Sequence, residues 1–207
     1  DLCQSGAVVI AGRIRAIEEI EHHAGPIYEQ LTGTAEYLRL SYCPDYDPVE
    51  KPADQLALEI DVPVRRSSIS DEEIAAGLQT RLSEKRSEEI GRGMTIVGPH
   101  RDELRFVSSG VDLGIYGSRG QSRSAVLALK LAEMAWMRDR TGECPILLLD
   151  EVMAALDFKR RRDLLTHIAG ADQVIMTTTD LDVFEESFRR STQVWSVTDG
   201  RVSPAMA

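Results

Sequence analysis

Four consecutive aliphatic residues followed at once by two acids, Ile146-Leu147-Leu148-Leu149-Asp150-Glu151, constrain this chain more than any other run in it. An unbroken aliphatic tetrapeptide reads as a central parallel strand buried on both faces, and parallel strands need crossover connections between them. The neighbouring patterns supply these. Arg119–Arg138 carries Leu127, Leu131 and Ala135 at steps of four, Phe158–Ile168 is helical, and Val174–Met176 is a second apolar strand. Strand and helix alternate, which is the pattern of an α/β layered fold.

The first half is more helical. Ile10, Ile14, Ile17, Ala24, Ile27 and Leu31 recur at steps close to three and four, predicting an amphipathic helix over residues 7–31. It spans only about three heptads, so a packed helix is expected rather than a free coiled coil. The His22-His23 pair makes a poor bidentate metal site, because adjacent helical residues point about 100° apart. Glu36–Tyr42 alternates as a half-buried strand, followed by a loop rich in proline and aspartate (Pro44, Asp45, Asp47, Pro48, Pro52). Ser70 with Glu73 forms a capping-box signature for a helix whose inner side carries Ile74, Leu78 and Leu82. From about Met94 the character changes. Met94–Val97 and Leu104–Val107 read as strands, Ser109-Gly110 turns the second into Val111–Leu113, and Val194–Val202 holds a hairpin turned at Asp199-Gly200. Two domains are expected: residues 1–93, acidic and helical with a small sheet, and residues 94–207.

The net charge is −10 over 207 residues, but it is unevenly placed. Residues 1–90 carry 18 acids against 9 bases, and residues 91–207 carry 16 against 15. No broad cationic face exists, so strong DNA affinity requires a local patch or a partner. There is no apolar run of about 18 residues and no basic-then-apolar leader, which argues against membrane spans and secretion. Cys3, Cys43 and Cys144 form no CxxC, and a reducing, cytoplasmic setting is expected.

The chemistry concentrates where the aliphatic strand ends. Asp150 suits a hard cation such as Mg²⁺, which takes oxygen ligands, and Glu151 can orient or deprotonate a water aimed at a γ-phosphate. The plainer alternative is that such acids merely cap the next helix. Two neighbours favour the chemical reading. Ser118-Arg119-Gly120-Gln121 opens the long helix with a hydroxyl and free N–H groups at the positive end of the helix dipole, an arrangement that binds phosphate. Ala155-Leu156-Asp157 then forms a short loop before the next helix. In order and spacing, these pieces resemble the signature, Walker B and D-loop series of ABC-type ATPases.

Longer runs narrow the resemblance. Gly98-Pro99-His100-Arg101-Asp102-Glu103-Leu104, Tyr116 through Arg123, Leu127 through Glu133, Pro145–Glu151 and Thr177-Thr178-Thr179-Asp180 are similar to the RecF family of bacterial DNA repair proteins. The similarity is specific over residues 94–207 and loose over residues 1–93. It implies an α/β fold: the C-terminal part of an ABC/SMC-like ATPase head, with residues 1–93 belonging to an inserted lever-arm domain. It also implies an ATPase that dimerises with ATP, binds DNA at gaps and single-/double-strand junctions, and assists RecA loading with RecO and RecR.

Carried onto this sequence, the resemblance implies that Asp150 serves Mg²⁺ and Glu151 the attacking water. Ser118, Arg119, Gly120 and Gln121 face ATP held by the opposite subunit, and Asp157 lies at the dimer seam. Thr179 stands where many ABC proteins have a switch histidine, and a threonine can hydrogen-bond phosphate but carries no positive charge. Roles for His100 and Arg101 stay open.

No GxxxxGK[ST] loop occurs, nor even a Gly-Lys pair. That loop cradles the β- and γ-phosphates, so the chain is expected to be a C-terminal portion that is inactive alone, with an apolar face and sheet edge prone to self-association. The Lys159-Arg160-Arg161-Arg162 run reads either as a solvated face or as a contact to the DNA backbone. Rival readings are an SMC- or SbcC-like head fragment, a transporter nucleotide-binding domain, and a non-catalytic module whose acidic half docks a protein partner.

Overall fold

The computed structural model describes residues 1–49 and 66–205. Pro52, assigned above to a loop, lies outside them. The chain forms two compact units, Asp1–Pro145 and Ile146–Ala207.

The first unit is built on α1 (Leu2–Thr32), which ends where Gly33 adopts φ 69° and donates its N–H to Glu29 O. This left-handed cap is easy for glycine because it has no Cβ. β1 (Leu38–Cys43) follows. α2 (Asp71–Arg92) opens with the expected capping box: Ser70 accepts from the Glu73 N–H, and Glu73 accepts from the Ser70 N–H. β2 (Glu103–Ser108) pairs antiparallel with β1, from Leu38 opposite Ser108 to Cys43 opposite Glu103. Ser109 and Gly110, both at positive φ, turn the chain into β3 (Val111–Asp112). α3 (Arg119–Thr141) completes the unit. The domain boundary expected near residue 93 falls inside this unit, and the β1–β2 ladder crosses it.

Ala7, Ile10, Ala11 and Ile14 of α1 form a core with Ile74 and Leu78 of α2, Tyr42 of β1 and Val97. The periodicity read from the sequence is therefore the packing face. Further along α1, Glu19 joins α3: its carboxylate accepts from Trp136 Nε1 at 2.6 Å and from Arg140 Nε at 3.0 Å. The Arg140 guanidinium also lies 5.8 Å from the Trp136 ring centroid, within cation–π range. These donors, the Arg140 bond foremost, hold the Glu19 carboxyl below its ordinary range. Of the two adjacent histidines, His22 Nδ1 meets Glu18 O and His23 Nε2 meets Asp139.

Met94–Val97, expected as a strand, forms none. Its backbone donors are used to finish α2 instead: Met94 N–H bonds Glu89 O, and Ile96 N–H bonds the Glu89 carboxylate at 2.9 Å. Gly98, at φ 137°, then leads into a single 3₁₀ turn, Pro99–Arg101. That turn delivers Asp102, whose side chain is only 3% exposed. Its carboxylate accepts from Arg13 at 2.7 Å, from the Asp45 N–H at 3.0 Å and from the Tyr42 hydroxyl.

The second unit has a two-stranded parallel sheet of β4 (Leu147–Leu149) and β5 (Val174–Met176), with Leu149 opposite Met176. α4 (Phe158–Ile168) lies between them in sequence. After β5 come α5 (Glu186–Ser191) and a hairpin of β6 (Trp195–Thr198) and β7 (Arg201–Pro204). The hairpin turns at Asp199 and Gly200 as expected, both at positive φ. One expectation is corrected here. β4 is buried on one face only: Leu147 and Leu149 are buried, whereas Leu148 is 69% exposed. Side chains alternate across a strand, and the described residues leave the Leu148 face open.

Two outcomes follow for the first unit. Asp102→Ala strands the Tyr42 hydroxyl and the Asp45 N–H, and should lower stability by about 1–3 kcal/mol in urea denaturation. Burial, with the Asp102 carboxylate next, raises the Tyr42 phenol well above its ordinary value. An unfolded chain ionises this tyrosine near pH 10, so stability should be full below that pH and fall as pH rises beyond it. Denaturation in alkaline buffers should show this fall, reduced in Tyr42→Phe.

Candidate functional site

The residues singled out in the sequence divide between the two units. Ser118, Arg119, Gly120 and Gln121 belong to the first; Asp150, Glu151, Asp157 and Thr179 belong to the second.

At the start of α3, Ser118 is the N-cap. Its hydroxyl oxygen accepts from the Gln121 N–H at 3.2 Å, and the Gln121 side chain accepts from the Ser118 N–H at 2.9 Å. This is a second reciprocal capping box, and it ties Gln121 back onto the helix end. The Ser122 N–H bonds Ser118 O. The N–H groups of Arg119 and Gly120 are thus the first-turn donors without a partner inside the helix. Ser118 and Arg119 are exposed, and Gly120 is half-buried. The preceding Gly117 is required by close approach: a Cβ there would lie 2.4 Å from Leu113 O.

In the second unit, β4 delivers Asp150 and Glu151 to its C-terminal end, both exposed. Glu151 has φ 52°, the left-handed region. The residue that organises the pair is Thr177, which directly follows β5. Its hydroxyl donates to Asp150 Oδ1 and accepts the Glu151 N–H at 3.0 Å. Among the described residues Asp150 Oδ2 has no such hydrogen bond, and Asp150 is exposed. Thr179, expected from the sequence to meet phosphate, lies in the same threonine run. Thr179 is exposed, while Thr178 pairs with the Asp180 backbone. The missed signal was the strand register: with Leu149 opposite Met176, the next pair is Asp150 and Thr177.

Beyond the acids, a 3₁₀ turn (Met153–Ala155) leads to Asp157, the N-cap of α4. The Asp157 carboxylate accepts from the Arg160 N–H at 2.9 Å and the Arg160 guanidinium at 2.8 Å. That backbone bond is the chief reason its carboxyl is held below the usual range. Within the basic run, Arg160 is occupied with Asp157 and Arg161 with Met153 O at 2.9 Å, while Lys159 and Arg162 are exposed. His100 is exposed with Nε2 3.2 Å from Thr95 O; the buried hub of that motif is its neighbour Asp102. Among the described residues, no cluster of three or more His, Cys, Asp or Glu is arranged to hold a metal ion, and no helix is long and apolar enough to cross a membrane.

With its parallel strand pair and flanking helices the chain is an α/β protein. Comparison with known proteins defines it further. The chain is 40% identical over 207 residues to the DNA replication and repair protein RecF of Chloroflexus aurantiacus, covering 98% of this chain and 47% of that protein. It is 36% identical to RecF of Roseiflexus castenholzii (99% and 48%) and 31% identical to that of Enterococcus faecalis (97% and 49%). Its fold matches a structure of the recombination mediator RecF with ATPrS at a TM-score of 0.73 and 27% identity, and one of RecF with ATP at 0.70 and 26%. Each match covers 99% of this chain and 48% of the other. No protein-family model matches. The chain is thus similar to RecF proteins over nearly all of its own residues, and it spans about half the length of the relatives it matches.

The cap carries a direct test. Ser118→Ala removes one half of the reciprocal box and should cost about 0.5–2 kcal/mol, with Ser118→Gly milder, by thermal denaturation followed by circular dichroism.

Proposed function

We propose that this chain is the C-terminal portion of a RecF-like ATPase of DNA replication and repair. The observation that carries the reading is the acid pair at the end of β4, held by Thr177, within a chain matching RecF over nearly its whole length. Asp150, exposed and with one oxygen anchored, suits a hard cation. One carboxylate is enough where phosphate oxygens and water complete the shell, so Asp150 would hold Mg²⁺, while the N–H groups of Arg119 and Gly120 would meet the phosphates of a different ATP, held by the opposite subunit. Bound Mg²⁺ would neutralise charge on the transferring phosphoryl group. Glu151 is the water-orienting residue, and its placement beside Asp150 brings base and phosphate together. Ser118 donates its hydroxyl proton to phosphate, and Gln121, whose Oε1 accepts the Ser118 N–H, offers its Nε2 protons. Asp157 is exposed and serves the seam between two heads, and Thr179, also exposed, offers its hydroxyl to phosphate.

In this reading ATP drives homodimerisation, and the dimer binds gapped DNA at single-/double-strand junctions. It acts with RecO and RecR to load RecA in the cytoplasm, consistent with relatives described as mediators in the RecFOR pathway. Residues 1–93 serve as the lever arm. Lys159 and Arg162, exposed on α4, are the members of the basic run best placed for a DNA backbone.

The test uses a full-length RecF protein carrying this sequence. Glu151→Gln should slow ATP hydrolysis by about 10²–10⁴-fold and leave ATP binding intact, since only the activation of water is lost. Loss of ATP binding in that variant would overturn the role of Glu151. The 207-residue chain by itself should hydrolyse no ATP and show no micromolar ATP binding by calorimetry.

A further inference from the structure

Thr177 holds the acid pair at three points. Its backbone N–H donates to Leu149 O at 3.0 Å, its hydroxyl proton goes to Asp150 Oδ1, and its hydroxyl oxygen receives the Glu151 N–H at 3.0 Å. One residue therefore grips the carbonyl before the pair, the side chain of its first member and the amide of its second. The grip answers a local strain. Glu151 sits at φ 52°, where a residue bearing a Cβ is disfavoured and persists only if its surroundings hold it. A single atom that both donates and accepts is needed for this. Serine supplies one; valine, of the same shape as threonine, does not.

We infer that Thr177 is a positioning residue of the nucleotide site. It selects which Asp150 oxygen faces the cation, and it keeps Glu151 in the left-handed turn that aims its carboxylate. The inference rests on the roles of Asp150 and Glu151 proposed above.

The test compares Thr177→Val, Thr177→Ala and Thr177→Ser. In the chain itself, amide hydrogen exchange by NMR should show the Glu151 N–H protected in wild type and Thr177→Ser, and exchanging at least about tenfold faster in the hydroxyl-free variants. In full-length protein, those two variants should lose about 10–100-fold in kcat for ATP hydrolysis, the usual cost of removing a group that orients a ligand, while Thr177→Ser stays within about threefold of wild type. Unchanged Glu151 protection or unchanged kcat without the hydroxyl overturns the inference, as does a folded Thr177→Ser as impaired as Thr177→Val. If Thr177→Val does not fold, Thr177→Ala and Thr177→Ser decide alone. Asp150→Asn and Glu151→Gln run in the same assay separate the two claims: wild-type turnover in both removes the reading of the acids, whereas the exchange comparison judges the Thr177 grip independently.

Discussion

The first unit depends on one carboxylate taken out of water. The Asp102 side chain is almost fully buried, yet three donors from α1, β1 and the loop after β1 converge on it: Arg13, Tyr42 and the Asp45 N–H. A buried charge is tolerable only when its lone pairs are filled, so these segments must be in register together or the site is costly. Arg13 also donates to Pro99 O in the turn that delivers Asp102. The hub thus holds the turn that places it.

Around this hub, α1 works as a charged spine. Glu18 accepts the Arg66 N–H, Glu19 binds Trp136 and Arg140, and Glu21 accepts the Leu40 N–H at 2.6 Å. Isolated surface ion pairs contribute little, but these acids mostly accept from backbone or indole N–H groups. Glu18, Glu19 and Glu21 are thus three acids of the first half that serve contacts inside the unit.

Features governed by local physics were legible in the sequence. The helical periods, the Ser70–Glu73 capping box and the turns at Ser109-Gly110 and Asp199-Gly200 depend on residues a few positions apart, and the structure has them all. Features governed by distant partners were not. Met94–Val97 has strand-like composition, but Glu89 captures its N–H groups. The aliphatic run at 146–149 carries no mark of which face will be covered. The Tyr42–Asp102 and Thr177–Asp150 hydrogen bonds join residues 60 and 27 positions apart, which no local pattern encodes.

The candidate site is nevertheless specified by a short chain of causes. Leu147 and Leu149 are buried while Leu148 is not, so the sheet discriminates between the two faces of β4. A shift of one residue would exchange those faces, and burial forbids it. With β4 held in place, its pairing sets Leu149 opposite Met176, and the next residues out, Asp150 and Thr177, must meet. The geometry of the acids is thus inherited from the alternation of three leucines: hydrophobic burial chooses the register, and the register chooses which hydroxyl reaches the carboxylate.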